Sequence, residues 1–410
     1  MENLSNIFSL FNLGDNFIKL HSPRTAFAFY PGHKLNLLTE KKEPFSAAEL
    51  LRHFDSIDLE NDLRVTHLTY ELGSQFYNFP LDPDCLLAID IEYTEEEPYL
   101  IEPFYQEGYV SSLESPSYDR YQRAFNKGYH ELVEGNCYQF NLTFQTNLGL
   151  GGKWDAEQLA ACLWEDPKRR SAYAHLTYLP IWNKTLLSNS PECLFQMQQS
   201  QKDIEKWNLW AMPIKGTWPL EEQLTLQELE EDHKNRGELD MITDLLRNDL
   251  NKIDIPCAKV IVRRDLLKVP GLLHQYSLVA LKLSKKVSLS KIISAIFPGG
   301  SITGAPKKNV IKILRELENR ERRFYCGSTL LTRGGRLAAS INIRTAEVDL
   351  ERFSLNYQSG GGITLLSQVD DEFDEMQAKS ESFLQPFLKL LPGGPRQFRP
   401  QNSHSNLYFS

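Results

Sequence analysis

Strands dominating the centre of the chain with helices set between them, a pattern that supports an α+β fold, are what the periodicities of this 410-residue sequence predict. Two alternating segments, "CYQFNLTFQTNL" from Cys137 and "RLAASINIRTAEV" from Arg336, read as half-buried strands. In contrast, "SPSYDRYQRAFNKGYHELVEG" repeats Tyr121, Phe125, Tyr129 and Leu132 at helical spacing, with Ser117 or Asp119 available as a cap. A hydrophobic content of 41% over this length is enough for one large core or two domains.

Along the chain, residues 1–115 mix short apolar runs with turns and close near the acidic, proline-bearing stretch "EYTEEEPYLIEP". Residues 116–390 hold the long strands and the helices. "FSLNYQSGGGITLL" reads as a strand broken by three glycines. The stretch 391–410, rich in Pro, Gly, Gln, Asn and Ser, reads as a disordered tail.

A formal net charge of -9 argues against nucleic-acid and anionic-membrane partners, so an acidic substrate would need a local cationic pocket. The six cysteines lack any C-x-x-C pair, which indicates neither a zinc site nor a disulfide framework. With no run of membrane-spanning length and no leader pattern in "MENLSNIFSL", the reading is a cytoplasmic protein.

Lys215 lies within "MPIKGTWP", a stretch otherwise apolar, glycyl and prolyl. Burial there would depress its pKa. Such a lysine either snorkels to water or is a nucleophile held partly neutral. In "GELDMITDLLRNDL", a step of 100° per residue puts Glu238 within the stripe of Met241, Ile242, Leu245 and Leu246. It is either a first-turn glutamate favoured by the helix dipole or a carboxylate aimed at a metal or buried partner. In "DDEFDEMQAKSESFLQPFLKLL", Phe373, Met376, Phe383, Leu384 and Phe387 form the buried stripe. Glu372, Glu375 and Lys379 line its border, as a surface pair or as ligands. Two helices offering glutamate inward favour a hard cation such as Mg²⁺.

"FPGGSITGAPKKNVIKILRELE" is a glycine-rich loop leading into a helix at Pro306. Ala305-Pro306 stands where a nucleotide loop carries Lys then Ser or Thr, so a carboxylate ligand, helped by the Thr303 hydroxyl, fits better than a nucleotide. Arg344, on the polar face of "SINIRT", can grip a carboxylate with two hydrogen bonds or form a cross-strand pair.

In order, "CYQFNLT", "SNSPECLF", "PIKGT", "ELDMITDLLRNDL", "FPGGSITGAPK", "CGS", "INIRT", "SGGGI" and the carboxylate helix resemble the chorismate-utilising enzymes from about residue 117 to 388. Within that family they are most similar to the synthase component of aminodeoxychorismate synthases. The resemblance implies a layered antiparallel β-sandwich flanked by helices, with the site between its halves. It implies Glu238 and Glu375 as Mg²⁺ ligands supported by Glu372. Arg344, Gly361, Gly362, Thr303 and Lys379 would hold chorismate, with Thr217 and Gln139 also at the substrate. Glu192 of "SPE" matches the general acid/base, and Gln139 stands where water-adding members carry a lysine base. Lys215 matches the lysine of the branch that aminates ring carbon C4, where anthranilate synthases usually carry alanine. Ser277 of "YSLVA" takes the place of a family histidine near the chemistry. The implied activity is conversion of chorismate and ammonia to 4-amino-4-deoxychorismate for 4-aminobenzoate and folate synthesis. The ammonia would come from a separate glutamine amidotransferase subunit. Two alternatives stay open, an anthranilate synthase component I and a chorismate-binding protein of reduced activity.

Overall fold

The computed structural model describes residues 6–393 apart from 15, 106, 202, 204–205, 220–232, 254–257, 270–271 and 285–286. Every strand pairing is antiparallel, and the pairings run on as one long ladder. One half passes from Gly108–Glu114 through Gln139–Gly152, Ser354–Ile363, Thr345–Asp349, Lys184–Ser190 and Tyr173–Leu179 to Phe8–Asn12 and Phe17–Phe29. The other half continues from Ala88–Tyr99 through Leu63–Leu68, Ser328–Arg333, Arg336–Ile341, Cys193–Gln199 and Lys206–Met212 to Leu272–Ser284. Ile214–Pro219 and Lys259–Val269 then flank that last strand.

The inner faces of the two halves meet through buried polar contacts. His67 Nε2 lies 2.9 Å from Thr177 Oγ1 across the fold, and Gln196 Nε2 donates to the Tyr173 hydroxyl at 2.6 Å. Helices cover the outside. Tyr118–Val133, Lys307–Glu318 and Val369–Leu388 bury Tyr121, Phe125, Leu314, Phe373 and Met376 against Phe140, Leu142 and Phe144 of the first half. Ala47–Asp55, His233–Leu250 and Leu289–Ile296 close the second half with Leu50, Phe54, Leu250, Ile292 and Ile296. The architecture is therefore α+β, a large antiparallel sheet with flanking helices. Strands from residues 1–115 pair directly with later ones, Phe8–Asn12 with Tyr173–Leu179 and Leu63–Leu68 with Ser328–Arg333. Residues 394–410, most of the sequence-predicted tail, lie outside the described residues.

Two sequence readings need correction. "RLAASINIRTAEV" is not one strand but two, Arg336–Ile341 and Thr345–Asp349, which belong to different halves of the ladder. Residues 342–344 carry the chain across, and Arg344 takes a left-handed φ of 50° there instead of standing on a strand face. Alternation alone cannot reveal this, because strand-like side chains continue on both sides of the crossing. Conversely, Ser354–Ile363 runs unbroken through Gly360–Gly362, which pair with Thr143, Leu142 and Asn141. Gly360 is required because a Cβ there would sit 2.0 Å from the Leu142 carbonyl oxygen.

A buried ion pair ties the helical layer to the ladder. Arg322 is 1% exposed; it donates to both Glu318 oxygens at 2.9 and 2.7 Å and to the carbonyls of Ile302 and Asn141. Glu318 also accepts from the Thr143 backbone and hydroxyl. Removing one member of such a pair strands a charge in low dielectric. Glu318→Ala should lower unfolding stability by about 3–5 kcal/mol in chemical denaturation. Glu96→Ala, which breaks the exposed pair with Arg333, should cost no more than about 1 kcal/mol.

Candidate active site

Two neighbouring crossings between the halves build the site. Pro191 and Glu192 link Lys184–Ser190 to Cys193–Gln199, and residues 342–344 link the adjacent pair. The two are laced together, since the Asn189 N–H donates to the Arg344 carbonyl at 2.8 Å and the Ile341 N–H to the Glu192 carbonyl at 2.9 Å. Side chains at such a crossing leave the regular alternation of a strand. That is how Glu192, 6% exposed, comes to be buried without a place in the sheet's apolar pattern.

A β-bulge aims Lys215. Lys215 pairs with Gln275 and Thr217 with His274, so Gly216 is the extra residue, at a φ of 70° that suits glycine. His274 Nδ1–H donates to the Gly216 carbonyl at 3.1 Å and secures the bulge. Sequence reading assigned His274 no part, and nothing in a linear pattern signals a side chain that locks its neighbour strand's backbone. Ser277, fully buried, accepts the Arg264 N–H at 3.2 Å beside a second bulge. The Thr217 backbone lies in the strand, and its side chain lies outside the described residues.

Lys215 Nζ stands 3.1 Å from Glu238 Oε2, both largely shielded from solvent. Burial works to lower the lysine pKa, as the sequence suggested. The charges of Glu238, Glu192 and Glu375 outweigh it and hold the ammonium above its ordinary value. That corrects the expectation of a depressed pKa. At Glu192 burial dominates and pushes the carboxyl up, while Ser301, Lys215 and Lys379 pull it back.

The glycine run forms another wall. A Cβ on Gly362 would fall 2.2 Å from Gln139 Nε2 and 3.6 Å from Glu238 Oε2; one on Gly361 would fall 3.1 Å from Glu372 Oε2. Glu372 is buried and accepts from Ser367 Oγ at 2.6 Å. Glu375 lies on the exposed side of its helix, paired with Lys379 at 2.8 Å, and Lys379 also donates to the Gly360 carbonyl at 3.0 Å. Gln139 is buried with its Oε1 unpartnered among the described residues. Thr303 is buried at the end of the Gly300–Thr303 turn, with its hydroxyl facing the Tyr70 phenol. The structure therefore brings Lys215, Glu192, Glu238, Glu375, Lys379, Gln139 and the glycines into one region. Ser277 meets the Arg264 N–H instead, and Thr303 the Tyr70 phenol.

The carboxylates fit a hard cation in kind. Glu238 and Glu375 both act on the same lysine charge, and each is balanced here by a lysine. Among the described residues no three His, Cys, Asp or Glu side chains form a ready metal cage. Mg²⁺ is commonly held by one or two carboxylates and completed by substrate oxygens, so the donor set suits that mode and not an all-protein cage.

The fold thus gathers a buried lysine and several carboxylates beside the crossings of its two halves. The chain belongs to the chorismate-binding enzyme family, whose model matches residues 27–385. It is 32% identical over 264 residues to aminodeoxychorismate synthase component 1 of Salmonella typhimurium, covering 62% of this chain and 54% of that protein. It is 29% identical over 269 residues to anthranilate synthase component 1 of Saccharolobus solfataricus, covering 63% of this chain and 62% of that protein. The chain thus spans little more than half the length of the first of these relatives. Among solved structures, anthranilate synthase component I of Streptococcus pneumoniae superposes with a TM-score of 0.71 at 18% identity, covering 89% of this chain and 91% of that one. A putative isochorismate synthase of Bacillus anthracis gives 0.69 at 17%, covering 94% and 96%. Among the described residues no helix is long and apolar enough to cross a membrane.

Glu238→Gln removes a carboxylate facing Lys215 and leaves its burial in place, so the Lys215 pKa should fall. A pH titration of the isotope-labelled lysine by NMR would show this; an unchanged value would mean that Glu238 does not hold the proton.

Proposed function

We propose that the chain converts chorismate and ammonia to 4-amino-4-deoxychorismate and water, with Lys215 as nucleophile. The observation that supports this most is a buried lysine among three carboxylates, at the position where the C4-aminating branch carries lysine. Relatives named for two different aminations leave the reaction to be decided by this residue.

In this reading the neutral Lys215 amine forms a bond to ring carbon C2 while the C4–O bond breaks, and Glu192 gives the leaving oxygen its proton. Burial pushes the Glu192 carboxyl up, the direction that favours a proton donor. Ammonia then bonds to C4 as the C2–N bond breaks, and Glu192 takes back a proton from the incoming nitrogen. Lys215 is returned as the free amine. In this reading Arg344, partly exposed at its crossing, would grip a substrate carboxylate, and Gln139 with the backbone of Gly361 and Gly362 would lie beside the ring. Before attack, Lys215 must lose the proton that its carboxylates favour. Glu238 and Glu375, with Glu372 behind them, are the residues that would hold Mg²⁺, which when bound would take up their charge and polarise the ring carboxylate. We further propose a separate glutamine amidotransferase subunit as the ammonia source, consistent with the "component 1" names of the relatives.

One incubation decides between the readings. Purified chain with chorismate, MgCl₂ and ammonium chloride should yield 4-amino-4-deoxychorismate by mass spectrometry, and Lys215→Ala should lower its rate by at least ~10²-fold. Anthranilate as the product would show the other amination. Chorismate binding without turnover would favour a binding protein.

A further inference from the structure

Beside Glu192 lies a small cavity of about 20 Å³. Its walls include Ile242, Leu246, Ile296 and Ile341, and its polar members are Glu192, Ser301 and Asp249, the last paired with Lys307. A cavity needs roughly 10–15 Å³ to hold one water, so this one takes a single molecule of that size. Glu192 and Ser301 are 6% and 8% exposed, and Glu192 Oε1 and Ser301 Oγ are both buried without a hydrogen-bond partner. The hydroxyl is near enough to act on the carboxyl, yet the two do not meet in proper hydrogen-bond geometry. Two buried polar atoms left facing in this way are satisfied by a small molecule between them.

We propose that this cavity is the berth of the incoming nucleophile, one molecule of ammonia held between Glu192 Oε1 and Ser301 Oγ, and that Ser301 is the residue that binds it. The inference rests on the amination reading above and adds to it the site of the second substrate. Ammonia matches the berth in three respects. It is the size of water; it can donate to the carboxylate while exchanging a hydrogen bond with the hydroxyl; and its lone pair remains free to form the new bond. The berth also places the nitrogen against the group that must accept its proton. As the N–C4 bond forms and the C2–N bond to Lys215 breaks, one N–H proton passes to Glu192, and the product keeps a neutral amine.

The test is steady-state kinetics with ammonium chloride as the nitrogen source. Ser301→Ala should raise the KM for ammonia about three- to tenfold, the worth of one hydrogen bond, with the KM for chorismate within about twofold of the parent. An unchanged ammonia KM, or both KM values rising together, would overturn the berth. Leu246→Ala supplies a second arm that needs no loss of the hydroxyl. By widening the wall it should let methylamine be incorporated, giving an N-methylated product by mass that the parent chain does not form. Its absence while ammonia is still used would count against the cavity as the route. A parent chain that forms no C4-aminated product at all would overturn the amination reading and the berth together, whereas aminated product with an unaltered ammonia KM in Ser301→Ala overturns the berth alone.

Discussion

The ammonium of Lys215 is the charge around which this site is organised. A desolvated cation must be paired, and Glu238 at 3.1 Å meets that need, with Glu192 and Glu375 adding their charge. The same three carboxylates serve different chemistry. One faces the lysine, one is buried with its carboxyl pushed up by desolvation, and one is shared with Lys379 at the rim. Removing or engaging any of them changes the balance at the others, so the protonation of the lysine reports on the state of the whole site.

The sheet makes this arrangement possible by crossing over itself. Where the chain passes from one half of the ladder to the other, at residues 191–192 and 342–344, the regular alternation lapses and polar groups can point inward. The bulge at Gly216 does the same for Lys215. Beneath them, Arg322 fastens the carbonyls of Ile302 and Asn141 to Glu318, so that the turn bearing Thr303 and the strand opposite the glycines share one anchor. Rigidity below and irregularity above are both needed, because groups must be held within a fraction of an ångström of productive geometry.

What could be read in the sequence follows from this. The helices were legible because their stripes repeat every turn: Phe373, Met376, Phe383, Leu384 and Phe387 are all buried as their spacing implies, and Glu238 does lie on the buried side of its helix. The family order of motifs carried the fold. Local crossings were not legible, since Arg344 looks like a strand residue until the strand is seen to stop at Ile341. The sign of the Lys215 shift was also hidden, because burial can be inferred from neighbours in sequence but the opposing carboxylates come from residues far along the chain. Ser301 and His274 escaped for a related reason. Each acts on a single atom of another element, which leaves no periodic trace.

Covalent participation by Lys215 is the central claim, and intact-mass spectrometry tests it most directly. The chain would be mixed with chorismate and Mg²⁺ in the absence of ammonia, quenched in acid, weighed, and digested to locate any modification. The account predicts a fraction of molecules heavier by chorismate less one water, with the addition on the peptide containing "PIKGT" and absent from Lys215→Ala. An unmodified chain, together with an alanine variant that forms 4-amino-4-deoxychorismate at the parent rate, would contradict it and leave Lys215 as a structural counter-charge to Glu238.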